Sequence, residues 1–134
     1  MGNGFPMAGV ITTRPLAKAF SAMEFFATTG GCNAAAACGL AVLEVIEEEG
    51  LQANAARVGA HVAGRLRALQ AAHPEVLGDV RGQGLMVGLE VVTDAGSRCH
   101  GPALARHIKQ RCKGDHRVLI SSEGPFGNVI KVGG

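Results

Sequence analysis

A chain of 134 residues with 47% hydrophobic and 18% charged residues has the size and balance of one compact globular domain, which excludes a disordered polymer. Its net charge of +2 comes from mixed signs, and five Phe with no Trp or Tyr leave nothing to stack bases, which argues against nucleic acid as a partner. No apolar run approaches the length of a membrane span, so no membrane partner is expected either.

With so few aromatics the core must be built from Ala, Val, Leu and Ile, with backbones drawn close by 20 Gly. The opening Met1-Gly2-Asn3-Gly4-Phe5-Pro6 reads as a loop; it lacks the basic and apolar regions of a secretory signal, and Pro6 stands where N-myristoylation needs Ser or Thr. Residues 7–12 form a short apolar run that reads as a buried strand. Thr13 can cap a short helix with Pro15 in its first turn and Leu16, Ala17 and Phe20 on its apolar face. Lys18 on that helix reads as a solvated lysine, with nothing nearby to desolvate it.

The most informative stretch is Ala27-Thr28-Thr29-Gly30-Gly31-Cys32-Asn33, followed by a helix over 34–49 with Asn33 as its expected cap. Glycines that reach φ > 0 let successive N–H groups point one way, and a helix start adds unpaired donors and partial positive charge. Such a loop can cradle a phosphate. The same residues also make an ordinary tight turn with nothing bound, and taken alone they favour that plainer reading. The Ala-rich first half of the helix is expected to be buried, and Glu44, Glu47, Glu48 and Glu49 in its second half read as a solvated face.

A second helix follows from Leu51, with Ala55, Val58, Val62, Leu66 and Leu69 at spacings of three and four, and Pro74 stops it. Period two then takes over: 76–81 and 85–92 read as strands joined by Gly82-Gln83-Gly84, with Leu85, Val87, Leu89 and Val91 on one face. Gly82, Gly84 and Gly88 do not make a dinucleotide fingerprint, because Val87 stands where the third Gly belongs and no helix opens there. A helix over 102–113 ended by Gly114, a strand over 118–121 and a last strand over 128–132 complete the order. Cys32, Cys38, Cys99 and Cys112 read as free thiols, as in the cytoplasm or the mitochondrial matrix. Cys99, His100, His107, Cys112 and His116 fit no zinc spacing, so no metal site is expected.

In order along the chain, Met1-Gly2-Asn3-Gly4-Phe5-Pro6-Met7-Ala8, Phe26-x-Thr28-x-Gly30-Gly31, Leu43-Glu44-Val45-Ile46, and Gly78-Asp79-Val80-Arg81-Gly82-x-Gly84-Leu85 with Gly88 and Glu90 resemble the later part of class III aminotransferases. These are fold-type I enzymes that use pyridoxal 5'-phosphate. The closing Ser121-Ser122-Glu123-Gly124-Pro125-x-x-Asn128-Val129-Ile130-Lys131 is most similar to the alanine-glyoxylate aminotransferase 2-like branch, which includes ethanolamine-phosphate phospho-lyases. The resemblance implies an α/β fold: residues 1–50 as the tail of the cofactor-binding large domain, and 51–134 as a linking helix with an incomplete small C-terminal domain.

It implies further that Thr28 donates its hydroxyl and N–H to the cofactor phosphate of the partner subunit in a homodimer, with Thr29 and Gly30 beside it. A small amine or amino acid is the implied substrate, with amino transfer or loss of phosphate as the outcome. Lys131 stands where many aminotransferases of the class have an Arg that forks onto a substrate carboxylate. The family's Gly-Gly-Asn-Pro is Gly30-Gly31-Cys32-Asn33 here, and Ala27 replaces a polar residue. The Schiff-base lysine of the family lies just upstream of the Gly2-Asn3-Gly4-Phe5-Pro6 loop, before Met1, so no catalytic residue is expected in these 134 residues, and alone they should not turn over. The alternative is a non-catalytic, dimer-forming regulatory module related to that family.

Overall fold

The computed structural model describes residues 1–134 except Thr29, Ala95 and Gly134. The chain divides into two compact units, Met1–Leu51 and Gln52–Gly134.

The first unit holds two helices. α1 (Arg14–Ser21) starts after Thr13, with a proline in its first turn, as the sequence suggests. α2 (Asn33–Glu48) starts one residue earlier than expected: Cys32 is the cap, and Asn33 is already helical. The Cys32 carbonyl accepts the first intrahelical bond, from Ala36 N at 3.0 Å, but the Cys32 side chain caps nothing. Residues 7–12 do not form the expected strand; Val10 and Ile11 are 90% and 103% exposed. A strand needs a neighbouring edge, and among the described residues of this unit none offers one. The expected burial of the start of α2 also fails, since Gly39 alone is buried and Leu40 and Leu43 are exposed. Gly39 has its reason: a Cβ there would lie 2.5 Å from Met7 Sδ.

The second unit is a four-stranded antiparallel sheet with helices packed on it. α3 (Leu51–Ala72) leads into β1 (Leu77–Gln83) and β2 (Met86–Val91), then α4 (Pro102–His116), β3 (Ser121–Glu123) and β4 (Val129–Val132). The strand order is β1-β2-β4-β3. Val87, Leu89 and Val91 alternate onto one buried face, as period two requires, while Leu85 lies in the hairpin turn and is exposed. Leu77, Val80, Ala105 and Ile130 join them, and Val62, Leu66, Leu104 and Ile108 from α3 and α4 pack against this cluster.

Register shifts between Leu77 and Asp79, so that Gly78 bulges out of the β1–β2 ladder. Its freed carbonyl accepts from Gln70 Nε2 at 2.9 Å and from Arg98 Nη2 at 2.7 Å, which ties α3 and Arg98 to the sheet. α3 also presses on the β1–β2 turn, where a Cβ on Gly59 would meet Gly84 O at 2.0 Å.

In the second unit α4 and β3 depart most from their expected bounds. α4 runs through Gly114 to His116 and ends at Arg117 in the left-handed region (φ 55°), with Val118 N donating to Cys112 O at 3.0 Å. An Arg111–Asp115 pair one turn apart supports the extra residues. β3 covers 121–123 rather than 118–121, because the β4 register pairs Ser121 with Lys131 and Glu123 with Val129. Among the described residues no helix is long and apolar enough to cross a membrane.

Candidate functional site

The loop before α2 carries the site residues that the sequence suggests. Gly30 N–H donates to Ala27 O at 2.9 Å and closes a tight turn around Thr28. That bond uses the Gly30 donor within the loop, so Gly30 shapes the turn. Thr29 lies outside the described residues. Gly31 takes φ +75°, a left-handed conformation open to glycine at no steric cost, and nothing lies within 4 Å of where its Cβ would be. The chain then enters α2 through Cys32 in an extended conformation.

The start of α2 is left electrically open. The first N–H groups of a helix have no intrahelical acceptor, and they carry the positive end of the helix dipole. Here no side chain caps them, and no acidic residue sits in the first turn. They border a cleft of about 890 Å³ lined by Phe5, Pro6, Met7, Thr28, Gly31 and Asn33 among others. Thr28 is exposed, and among the described residues its N–H makes no backbone hydrogen bond. Among the described residues, the Thr28 hydroxyl, its N–H without a backbone partner and the uncapped start of α2 border one cleft. That is the donor set a phosphate dianion needs, so these residues fit the phosphate of the cofactor that the sequence implies.

The other sequence candidates fall elsewhere. Glu44, Glu47, Glu48 and Glu49 are exposed along the end of α2, and Lys18 is exposed on α1. Gly82 and Gly84 shape the β1–β2 hairpin, and Gly88 lies within β2 opposite Arg81. No group of three or more His, Cys, Asp or Glu among the described residues is placed to hold a metal. All four cysteines are free. Lys131 sits on β4 beside a second open cavity of about 490 Å³, with Leu119, Ile120, Ser121 and Gly133.

One polar group was not legible in the sequence. Arg81 Nη1 donates to Glu90 Oε2 at 2.7 Å and to Asp79 Oδ2 at 2.8 Å, and these bonds, Glu90 foremost, raise the guanidinium pKa further. Arg81 and Glu90 lie on different strands, and only the hairpin register brings them together.

A mixed helix and antiparallel-sheet chain of this kind matches a fragment of fold-type I pyridoxal-phosphate aminotransferases. The chain belongs to the class III aminotransferase family: residues 1–132 match the family model described as aminotransferase class-III. It is 43% identical over 132 residues to the mitochondrial alanine--glyoxylate aminotransferase 2 homolog 2 of Arabidopsis thaliana, and 48% identical over 135 residues to the mitochondrial alanine--glyoxylate aminotransferase 2 of Pongo abelii. Each alignment takes in 98% of this chain, yet only 27% and 26% of those relatives. Among solved structures it is similar to a phospholyase from Arthrobacter in complex with phosphoethanolamine, with a TM-score of 0.83 and 37% identity over 98% of this chain and 31% of that one. The chain thus spans between a quarter and a third of the length of these relatives. The family is enzymatic and depends on pyridoxal phosphate.

Proposed function

We propose that these 134 residues are the phosphate-cradling loop and the small-domain sheet of a pyridoxal-phosphate enzyme that acts on a small amine or amino acid. The observation that carries this reading is the uncapped start of α2, which opens on the same cleft as Thr28. Thr28 supplies hydroxyl and N–H donors to the cofactor phosphate, and the first turn of α2 adds its dipole. Thr29 and Gly30 complete the loop, Gly30 by closing the turn on Ala27. When bound, the cofactor supplies an electron sink for carbanion chemistry next to the substrate nitrogen. Holding its phosphate fixes where that sink sits relative to the substrate.

In this reading, the first unit is the tail of the large cofactor-binding domain and the second is part of the small domain. The loop serves a homodimer, reaching the cofactor of the partner subunit. Lys131, a compact point charge where a forked Arg would grip a carboxylate, favours a substrate whose anionic group is a phosphate. The four free thiols suit a reducing compartment, cytoplasm or mitochondrial matrix.

By themselves the 134 residues hold the cofactor loop and do not turn over. The test is paired. Purified chain is assayed with pyridoxal phosphate against amino donors and against phosphoethanolamine, and the native protein is sized with an antibody to α3. No turnover, together with a native species several times heavier than 13.7 kDa, is the expected result. Turnover by the chain alone would overturn the reading. A native species of 13.7 kDa that co-purifies with a full-length relative would replace it with a regulatory module.

A further inference from the structure

The β3–β4 connection, residues 124–128, is fastened to the rest of the sheet through one buried amide. Asn128 is 2% exposed. Its backbone carbonyl accepts from Val91 N at 2.8 Å, and its Nδ2 donates to Val91 O at 3.0 Å, so the two residues clasp each other where the β2–β4 ladder ends. A carbonyl can only accept, so this bond fixes which way the Asn128 amide is turned. The amide's second hydrogen then faces His100 Nδ1 at 3.4 Å. Nδ1 must therefore present its lone pair, and the ring proton sits on Nε2. The same ring lies on Phe126, with centroids 3.9 Å apart and planes 14° from parallel. His100 itself is held by a bridge to Val92, just ahead of α4.

A second acceptor waits within reach. Glu90 Oε1 is 4.0 Å from His100 Nδ1, while the carboxylate's other oxygen takes Arg81. Charged groups stand on the strands beside the Glu90–His100 pair. β2 contributes Glu90; β1 contributes Arg81, and Asp79 through it; β3 contributes Glu123, in register with Glu90 across Val129. The 124–128 connection brings only the uncharged Phe126 and Asn128.

We propose that His100 is a proton-operated latch on the β3–β4 connection, closed on Asn128 and Phe126 when neutral and turned to Glu90 when protonated. A proton taken from solvent at Nδ1 replaces the lone pair with an N–H, so two donors face each other. Asn128 cannot turn its oxygen to the ring without giving up its bond to Val91 O, which would lose a buried hydrogen bond. The ring is free to move instead, because it is partly exposed. Turning towards Glu90 Oε1 gives it a charge-assisted hydrogen bond and takes it off Phe126. The latch is therefore closed while the ring is neutral and open once it carries the proton. The backbone clasp between Val91 and Asn128 persists, so the connection loosens at Phe126 without the sheet coming apart. This inference stands on the second unit alone and does not depend on the cofactor reading.

The test is a pH titration of the full chain from 8 to 5, followed by NMR at the His100 ring, the Phe126 ring and the Asn128 side-chain amide. The expected result is one shared titration curve for all three, with the ring-current shift between His100 and Phe126 lost on the acid side. In Glu90→Gln, which lacks the anionic acceptor, His100 should still titrate while the Phe126 and Asn128 changes shrink. A His100 that titrates while Phe126 and the Asn128 amide stay fixed would overturn the latch, as would a His100 that does not titrate in this range. Undiminished changes in Glu90→Gln would overturn the role of Glu90. The unsubstituted chain decides the main question even where the variant does not fold.

Discussion

Two glycines in one helix make a matched experiment. Gly59 and Gly64 both lie inside α3, where alanine is intrinsically favoured over glycine by about 1 kcal/mol. A Cβ added at Gly64 meets nothing within 4 Å, so Gly64→Ala should gain much of that amount. A Cβ added at Gly59 would lie 2.0 Å from Gly84 O and 2.4 Å from Gly84 C, both backbone atoms of the β1–β2 turn. Neither atom can swing aside as a side-chain end would. Separating them means shifting α3 off the sheet, and overpacking of this kind costs about 1–3 kcal/mol before the propensity gain is subtracted. Gly59→Ala should therefore be net destabilising by up to about 2 kcal/mol, so the two variants differ by roughly 1–3 kcal/mol. Urea unfolding followed by far-UV circular dichroism, at constant m-value, reads the difference directly. If Gly59→Ala proves as stable as Gly64→Ala, α3 does not bear on the hairpin as described.

Ile130, 2% exposed in the core, should cost about 2–5 kcal/mol on truncation to Ala, measurable in the same unfolding assay. Asp94 accepts from Ser97 N at 2.6 Å and from Ser97 Oγ at 2.8 Å, and these bonds, the backbone one foremost, hold its carboxyl below the ordinary range. A depressed carboxylate pKa contributes stability that is present above the unfolded value, near 4, and lost as pH falls through the folded one. Hydrogen exchange at the Ser97 amide should therefore quicken only at pH below about 4, and Asp94→Asn should remove that pH dependence.

How far these features were legible depended on whether neighbours in sequence or neighbours in space create them. The stripe Val58, Val62, Leu66 announces α3, and the alternation Val87, Leu89, Val91 announces β2, because each pattern repeats with its own element. Residues 7–12 are as apolar as a strand, but a strand is completed by a partner edge that a local reading cannot supply. Gly114 looked like a stop, yet left-handed closure at Arg117 and the Arg111–Asp115 pair carry α4 past it. At the candidate site, the two glycines and the hydroxyl were visible in the sequence. That Cys32 rather than Asn33 caps α2, and leaves its donors open, needed the coordinates. The His100–Asn128–Phe126 group could not be read at all, since 28 residues separate His100 from the amide it faces.

The loop before α2 is proposed to grip a phosphate through Thr28. Its most direct test is an NMR titration of the full chain with pyridoxal phosphate, and separately with inorganic phosphate. The amides of Thr28, Gly31 and the first turn of α2 should shift together. Thr28→Ala should weaken the response by about 1.5–3 kcal/mol, the worth of a hydrogen bond to a charged group, or roughly ten- to a hundred-fold. Shifts confined to other parts of the chain, or an unchanged response in Thr28→Ala, would contradict it.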